Sequence, residues 1–179
     1  LLVGARDAGR RELGAEHEKT LKAAGGLAIV FNQTGRKEEA EELYRATYDA
    51  QKKKLGDDHP GTLSSASNLA ILLKQTDRKE EAEELYRATY DARKKKLGDD
   101  HPQTLSSAGN LGALLDEKAQ KLDEDGASDP AALARIYSEA ADMLAFSQSL
   151  SQSPSLSQFA AKDEDVLRCR KRAAELAGN

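Results

Sequence analysis

The sequence predicts an all-α chain of stacked helical hairpins, and two observations carry that prediction. The first is a repeat: the 42 residues from His17 to Asp58 return from His59 to Asp100 with 31 identities, and the pattern starts again at His101. Self-similarity at a period of roughly 20–50 residues marks an array whose units share one core. The second is periodicity. Leu63, Ala66, Leu69, Ala70 and Leu73 recur at three- and four-residue spacing, which places them on one helical face. A single hairpin cannot cover that face, so the array reads as one elongated unit.

Residues 1–16 overlay on 43–58. Leu1, Asp7, Ala8, Leu13 and Gly14 match Leu43, Asp49, Ala50, Leu55 and Gly56. The chain is therefore expected to open in the second helix of a partial repeat. Leu1 in place of Met reads as a processed or excerpted start. Repeats one and two span 17–58 and 59–100. In the second, Pro60 suits a first helical position, with Asp58 or His59 as cap. Gln75-Thr76-Asp77 breaks the helix, and Asp77 with Glu80 has the form of a capping box opening the next one. Ala82, Leu85, Tyr86 and Tyr90 give that second helix its buried stripe, and Tyr44 and Tyr48 read as core in the same way. It should end near Lys96, ahead of Leu97-Gly98-Asp99-Asp100. Acids fall in the first turns (Glu38-Glu39, Glu80-Glu81) and lysines in the last (52–54, 94–96), as the helix dipole favours. The lysine triplets read as helix-end neutralisation, with an anionic docking site as the alternative. Glu41–Arg45 and Glu83–Arg87 are i,i+4 pairs in the better orientation.

The third block, 101–147, begins as the others do and then drifts. Its first helix runs on through Asp116 to Asp123. Gly126–Pro130 forms the turn, with Asp129 as cap and Pro130 at the first helical position, and a second helix runs from Ala131 to about Ser147. Ile136-Tyr137 answers Leu85-Tyr86 at a spacing of 51, so about nine residues are inserted. Residues 147–158 hold six Ser, three Gln and one Pro, and 148–161 reads as an extended linker. A last helix follows within 162–179, with Val166, Leu167, Ala173, Ala174 and Leu176 as its apolar content. It is read either as a cap folded back on the array or as a tethered helix that docks on another protein.

Composition removes several function classes. The chain is 39% hydrophobic and 32% charged, with a formal net charge of −4 and a pI near 5.5, which argues against a nucleic-acid footprint. No apolar run approaches the roughly 18–20 residues that span a bilayer. Cys169 is the single cysteine. It excludes an internal disulfide and fits a reducing compartment, cytoplasmic or organellar. It is flanked by Arg168 and Arg170 and reads as a packed residue. His17, His59 and His101 stand one repeat apart, on the order of 10 Å in a stack, too far to share a metal ion. They read as turn formers. Gly25-Gly26 lies within a helical pattern and costs about 1 kcal/mol per residue against Ala. Close approach of a neighbouring helix is the expected reason, and ligand contact the alternative. No phosphate loop and no paired acid and base are present, so no enzyme, no metal and no cofactor is expected.

The stretch HPGTLSSASNLAILLKQTDRKEEAEELYRATYDARKKKLGDD resembles a tetratricopeptide repeat in its 42-residue kinesin-light-chain form, and the likeness covers about 1–117. His59-Pro60, Thr62-Leu63, Asn68-Leu69-Ala70, Glu81-Ala82, Leu85-Tyr86-Arg87 and Leu97-Gly98 carry it. Thr47 and Thr89 stand where a small Ala is usual, Asp77 replaces the inter-helix Gly, and His17 lacks a following Pro. The resemblance implies a right-handed helical-hairpin solenoid whose first helices line a concave groove. Carried over by position, the groove residues are Lys22, Gly26, Ile29, Asn32 and Gln33 in block one. Block two supplies Ser64, Ser67, Asn68, Ile71, Lys74 and Gln75, and block three Ser106, Asn110, Ala113, Asp116 and Glu117. Asn68 and Asn110 occupy the family position whose carboxamide clamps a bound peptide backbone; bonding to a neighbouring helix is the other reading. Only Lys22 and Lys74 are basic, against Asp116 and Glu117, so the groove is mixed polar with apolar spots.

The leading expectation is a protein-interaction scaffold that holds protein or peptide segments, with no nucleic acid and no membrane span. The second is a permanent subunit of a large assembly, organellar among the options.

Overall fold

The computed structural model describes residues 2–12, 14, 17–126, 129–148 and 162–178. Among them are eight α-helices and no strand. They are α1 (Leu2–Glu12), α2 (Glu18–Gln33), α3 (Lys37–Leu55), α4 (Pro60–Gln75), α5 (Lys79–Leu97), α6 (Pro102–Glu124), α7 (Pro130–Ser147) and α8 (Asp163–Ala177). The chain packs as two compact units, Leu1–Leu85 and Tyr86–Asn179, whose boundary falls inside α5. The expected linker lies outside the described residues apart from Gln148.

The three histidines start three helices. His17, His59 and His101 are the N-caps of α2, α4 and α6. In each, Nδ1 accepts a backbone N–H two residues on: from Lys19 at 3.2 Å, Gly61 at 3.1 Å and Gln103 at 3.2 Å. A donor that the helix leaves without an internal partner is thereby satisfied. Asp129 does the same for α7, its carboxylate accepting from the Ala131 N–H at 3.0 Å.

The hairpin turns correct one expectation. α2 closes on Gly35 at φ +80, with the Arg36 N–H reaching the Phe31 carbonyl at 2.9 Å. In the second block the same place is held by Asp77 at φ +61, and the Arg78 N–H reaches Leu73 in the same way. A capping residue needs extended backbone. Asp77 is left-handed, so it finishes α4 rather than opening α5.

In the first unit α2 packs on α3 and α3 on α4. Leu21, Leu27 and Ala28 of α2, Ala40 and Tyr44 of α3, and Leu63, Leu69, Leu72 and Leu73 of α4 are buried. On the solvent side a four-membered ion network joins α3 to the start of α5. Arg45 pairs with Glu41 and Glu81 at 2.9 Å each, and Arg78 pairs with the same two glutamates. Arg45, then Arg78, holds Glu81 below the usual carboxylate range. Exposed pairs are individually weak, but a closed network of four gains from shared orientation.

In the second unit Arg87 reaches Glu139 and joins α5 to α7. The Tyr90 and Phe146 rings meet edge-on, centroids 6.2 Å apart. The lysine triplets have a local role: Lys94 sits 5.7 Å over the Tyr90 ring and 3.5 Å from Asp99, as Lys52 of the first unit sits over Tyr48 and beside Asp57. α3 and α5 differ only where Gln51 gives way to Arg93. Each of these residues bonds the next first helix. The Ser65 hydroxyl donates to Gln51 at 2.5 Å, and Arg93 donates to the Ser107 hydroxyl at 2.7 Å.

α6 runs on to Glu124, as the sequence pattern predicts, and crosses α7 closely at Gly112. A Cβ on Gly112 would lie 2.9 Å from the Leu144 backbone nitrogen and 3.0 Å from the Met143 Cβ. The other blocks carry Ala28 and Ala70 in that column. α8 folds back on α7, burying Val166 and Cys169.

Two substitutions test these local arguments in opposite directions. Asp77→Gly relieves a left-handed non-glycine residue and should stabilise by roughly 0.5–1 kcal/mol in urea unfolding. Gly112→Ala forces α6 and α7 apart and should destabilise by about 1–3 kcal/mol, although Ala is the better helix former.

Candidate functional site

The first unit contains a cleft of about 640 Å³ to which three helices contribute. α2 supplies Glu18, Leu21, Lys22, Gly25, Gly26 and Ile29; α3 supplies Thr47, Gln51 and Leu55. His59, Gly61, Ser64, Ser65 and Asn68 come from the start of α4. Thr47 is the most deeply buried of these at 2% exposure, and its hydroxyl has no hydrogen-bond partner. Ser65 is committed to Gln51, and Ser64 donates to the Pro60 carbonyl at 2.8 Å. Ile29 and Leu55 are 41% and 38% exposed, large apolar side chains left open to water. The cleft thus offers a carboxamide, one cation, one acid and an open apolar area.

Of the residues the sequence assigned to a groove, Lys22, Gly26, Ile29, Ser64 and Asn68 converge here. Ile71, Gln33 and Gln75 are exposed outside its lining, and Asn32, Ser67 and Lys74 are half-buried outside it. Ser67 donates to the Leu63 carbonyl at 2.9 Å. In the second unit Ser106 and Asn110 are half-buried, and Ala113 and Glu117 are exposed.

Two expectations need correction. Asp116 is no open groove residue: it is 7% exposed and held by α8, where Arg168 pairs with it and the Cys169 thiol donates to it at 3.2 Å. Its position in the extended α6 brings it under the last helix. Gly25 does not answer a close helix approach, since a Cβ built there meets nothing within 4 Å.

Sequence reasoning confined the groove to first helices and so missed Thr47, Gln51 and Leu55 on α3. A signal for the cleft was present. The two blocks differ at only 11 of 42 columns. Nine of the fourteen lining residues lie in those columns: Glu18, Lys22, Gly25, Gly26, Gln51, Gly61, Ser64, Ser65 and Asn68. Gln51 marks the one column that differs between the second helices.

A second recess, of about 730 Å³, lies between the first turns of α7 and the end of α8. Five alanines, Pro130 and Leu176 make most of its wall, with Asp129, Arg135 and Ser138 beside them. It lies outside the two near-identical blocks.

The α8 contacts carry the clearest electrostatics. Arg172 grips Asp123 with two bonds of 2.6 Å and holds its carboxyl below the usual range. Burial, then Asp116, pushes the Cys169 thiol up to about 12. The thiol is protonated and shielded, the opposite of a reactive cysteine. Among the described residues no His/Cys/Asp/Glu group is placed to hold a metal ion, and no helix is long and apolar enough to cross a membrane.

A tetratricopeptide repeat family model matches residues 1–53 and again 38–95. No curated protein matches the chain by sequence. Among solved structures, a Podosopora anserina chain assigned as a kinesin light chain with nearly identical TPR-like repeats, in a singly substituted form, superposes with a TM-score of 0.72. It is 23% identical, over 99% of this chain and 80% of that one. A second structure of that protein gives 0.68 at 19% identity, over 99% and 84%. BtubC (BKLC) from P. vanneervenii gives 0.56 at 19% identity, over 99% and 73%. At these identities the likeness establishes the fold.

The depressed Asp123 value has a pH signature. Its pair with Arg172 contributes fully above the unfolded carboxyl value, about 3.9. The contribution is lost as pH falls through the lower folded value. Acid should therefore loosen α8 and expose Cys169 to 4,4′-dithiodipyridine, which reacts with thiols in acid. Asp123→Asn should raise Cys169 reactivity already at pH 7.

Proposed function

The chain belongs to the tetratricopeptide repeat family, and from that premise we propose that it is a non-catalytic interaction module holding a partner-protein segment in the cleft of α2, α3 and α4. The family binds protein partners and its fold is typically non-catalytic. The observation that carries the proposal is the internal divergence: the duplicated blocks differ chiefly where they line this cleft. The core columns of Leu21, Ala24, Leu27 and Ala28 are kept, whereas a surface that touches something else is free to change with it.

In this reading Asn68 anchors an extended main chain, because a carboxamide donates and accepts at once. Lys22 and Glu18 sit one turn apart on α2 and select charge at the rim. Ile29 and Leu55 supply apolar contact. The reading as a permanent subunit of a large assembly rests on the non-Met start, the inserted third repeat, the Ser/Gln-rich linker and the final helix. Arg168 and Arg172 of that helix are engaged by Asp116 and Asp123 of its own unit, which favours the interaction module.

Selection of a random peptide library against the full chain tests the proposal. Enriched peptides should bind Asn68→Ala about five- to tenfold more weakly, the scale of one net hydrogen bond. Ser64→Arg, a surface plug, should abolish binding with the thermal midpoint unchanged. Peptides that bind all three proteins equally would place the partner surface elsewhere.

A further inference from the structure

Gly25 and Gly26 sit in the middle of a sixteen-residue helix, where glycine weakens the helix more than any residue but proline. At Gly25 packing does not account for that choice, since a Cβ there would meet nothing within 4 Å. The second block, built on the same hairpin, carries Ser67 and Asn68 in these two columns. A side chain is therefore compatible with the fold, and its absence in the first block leaves room on the cleft side of α2. Both glycines line the cleft.

A further observation concerns the same room. Ile29, one turn along α2, and Leu55, at the end of α3, line the cleft and are exposed by 41% and 38%.

We propose that the glycine pair forms a socket for one bulky apolar side chain of the bound segment, of leucine or phenylalanine size, and that this socket sets the specificity of the cleft. The inference rests on the partner-segment reading above and adds the class of residue recognised. The side chain lies over the bare backbone of Gly25 and Gly26, covers Ile29 and Leu55, and brings its own main chain within reach of Asn68. Apolar lining with a few placed polar groups is the usual composition of a selective pocket. In block two Ser67 and Asn68 stand in place of the pair.

The test uses peptides selected from a random library by the full-length chain. They should share one bulky apolar residue, and changing that residue to Ala should weaken binding roughly tenfold or more, the scale of burying such a side chain. The double variant Gly25→Ser/Gly26→Asn installs the residues with which block two already folds. It should lose the same tenfold, and Gly25→Ala should lose part of it. Far-UV circular dichroism and the thermal midpoint should hold or rise in both variants. Selected peptides with no shared bulky residue, or equal affinity for wild type and the double variant, overturn the socket. If Asn68→Ala still weakens binding while the double variant does not, the socket falls and the cleft reading stands. A library that yields no binder overturns both.

Discussion

Each hairpin depends on a face that it cannot cover alone. Leu69, Leu72 and Leu73 of α4 are almost wholly buried, and α4 packs on α3 of the preceding block. A fully buried leucine contributes on the order of 1.5–3 kcal/mol, so this stripe outweighs every cap and ion pair near it. The burial carries a repeated cost. Thr20, Thr62 and Thr104 share one column and Thr47 and Thr89 another, and all five hydroxyls are buried with no partner. Threonine in place of the alanine usual in the second column adds a methyl to the packing and an unmet hydroxyl with it. The hydrophobic term wins, but by less than the number of buried residues suggests.

Helix boundaries were legible because the residues that set them act locally. Histidine before proline, glycine after the lysine triplet and Asp129-Pro130 each impose a backbone state within a few residues. The run-on of α6 could be read too, as a helical pattern that met no breaker before Gly126. What escaped the sequence depends on the third dimension. Asp77 with Glu80 has the form of a capping box in the sequence, and only the geometry of the turn shows it as a left-handed stop. Gly25 and Gly112 are alike on paper, yet one faces open space and the other a backbone nitrogen at 2.9 Å. Asp116 sits in a groove column and is covered by a helix that begins only at Asp163, far along the chain. The α3 contribution to the cleft was hidden because groove residues were sought on first helices.

The two helix types divide the work. Second helices hold the ion network and clasp the next first helix through Gln51 or Arg93. Any change there is felt by two neighbours at once. First helices keep the leucine columns of Leu21 and Leu27 and vary many of the columns beside them, the Leu72 and Leu73 columns holding Val30 and Phe31 in block one. Arg93 shows what a single exchange does in the constrained class: burial lowers the proton affinity of its guanidinium, and its acceptors are the neutral Ser107 hydroxyl and the Gln103 carbonyl. A buried cation bonded only to neutral groups is an expensive substitute for glutamine.

The near-identity of α3 and α5 also shapes how the chain reaches its structure. Over nineteen residues they differ at one position, so a collapsing chain meets two competing surfaces of almost equal energy for the same leucine stripe. Repeat proteins misassemble through such degeneracy, and the funnel is then narrowed by connectivity rather than by contact chemistry. The three-residue turn Thr34-Gly35-Arg36 makes the correct α2–α3 pairing the cheapest loop to close. The short turns of this protein therefore act as its proofreading element, choosing between partners that the side chains can barely tell apart.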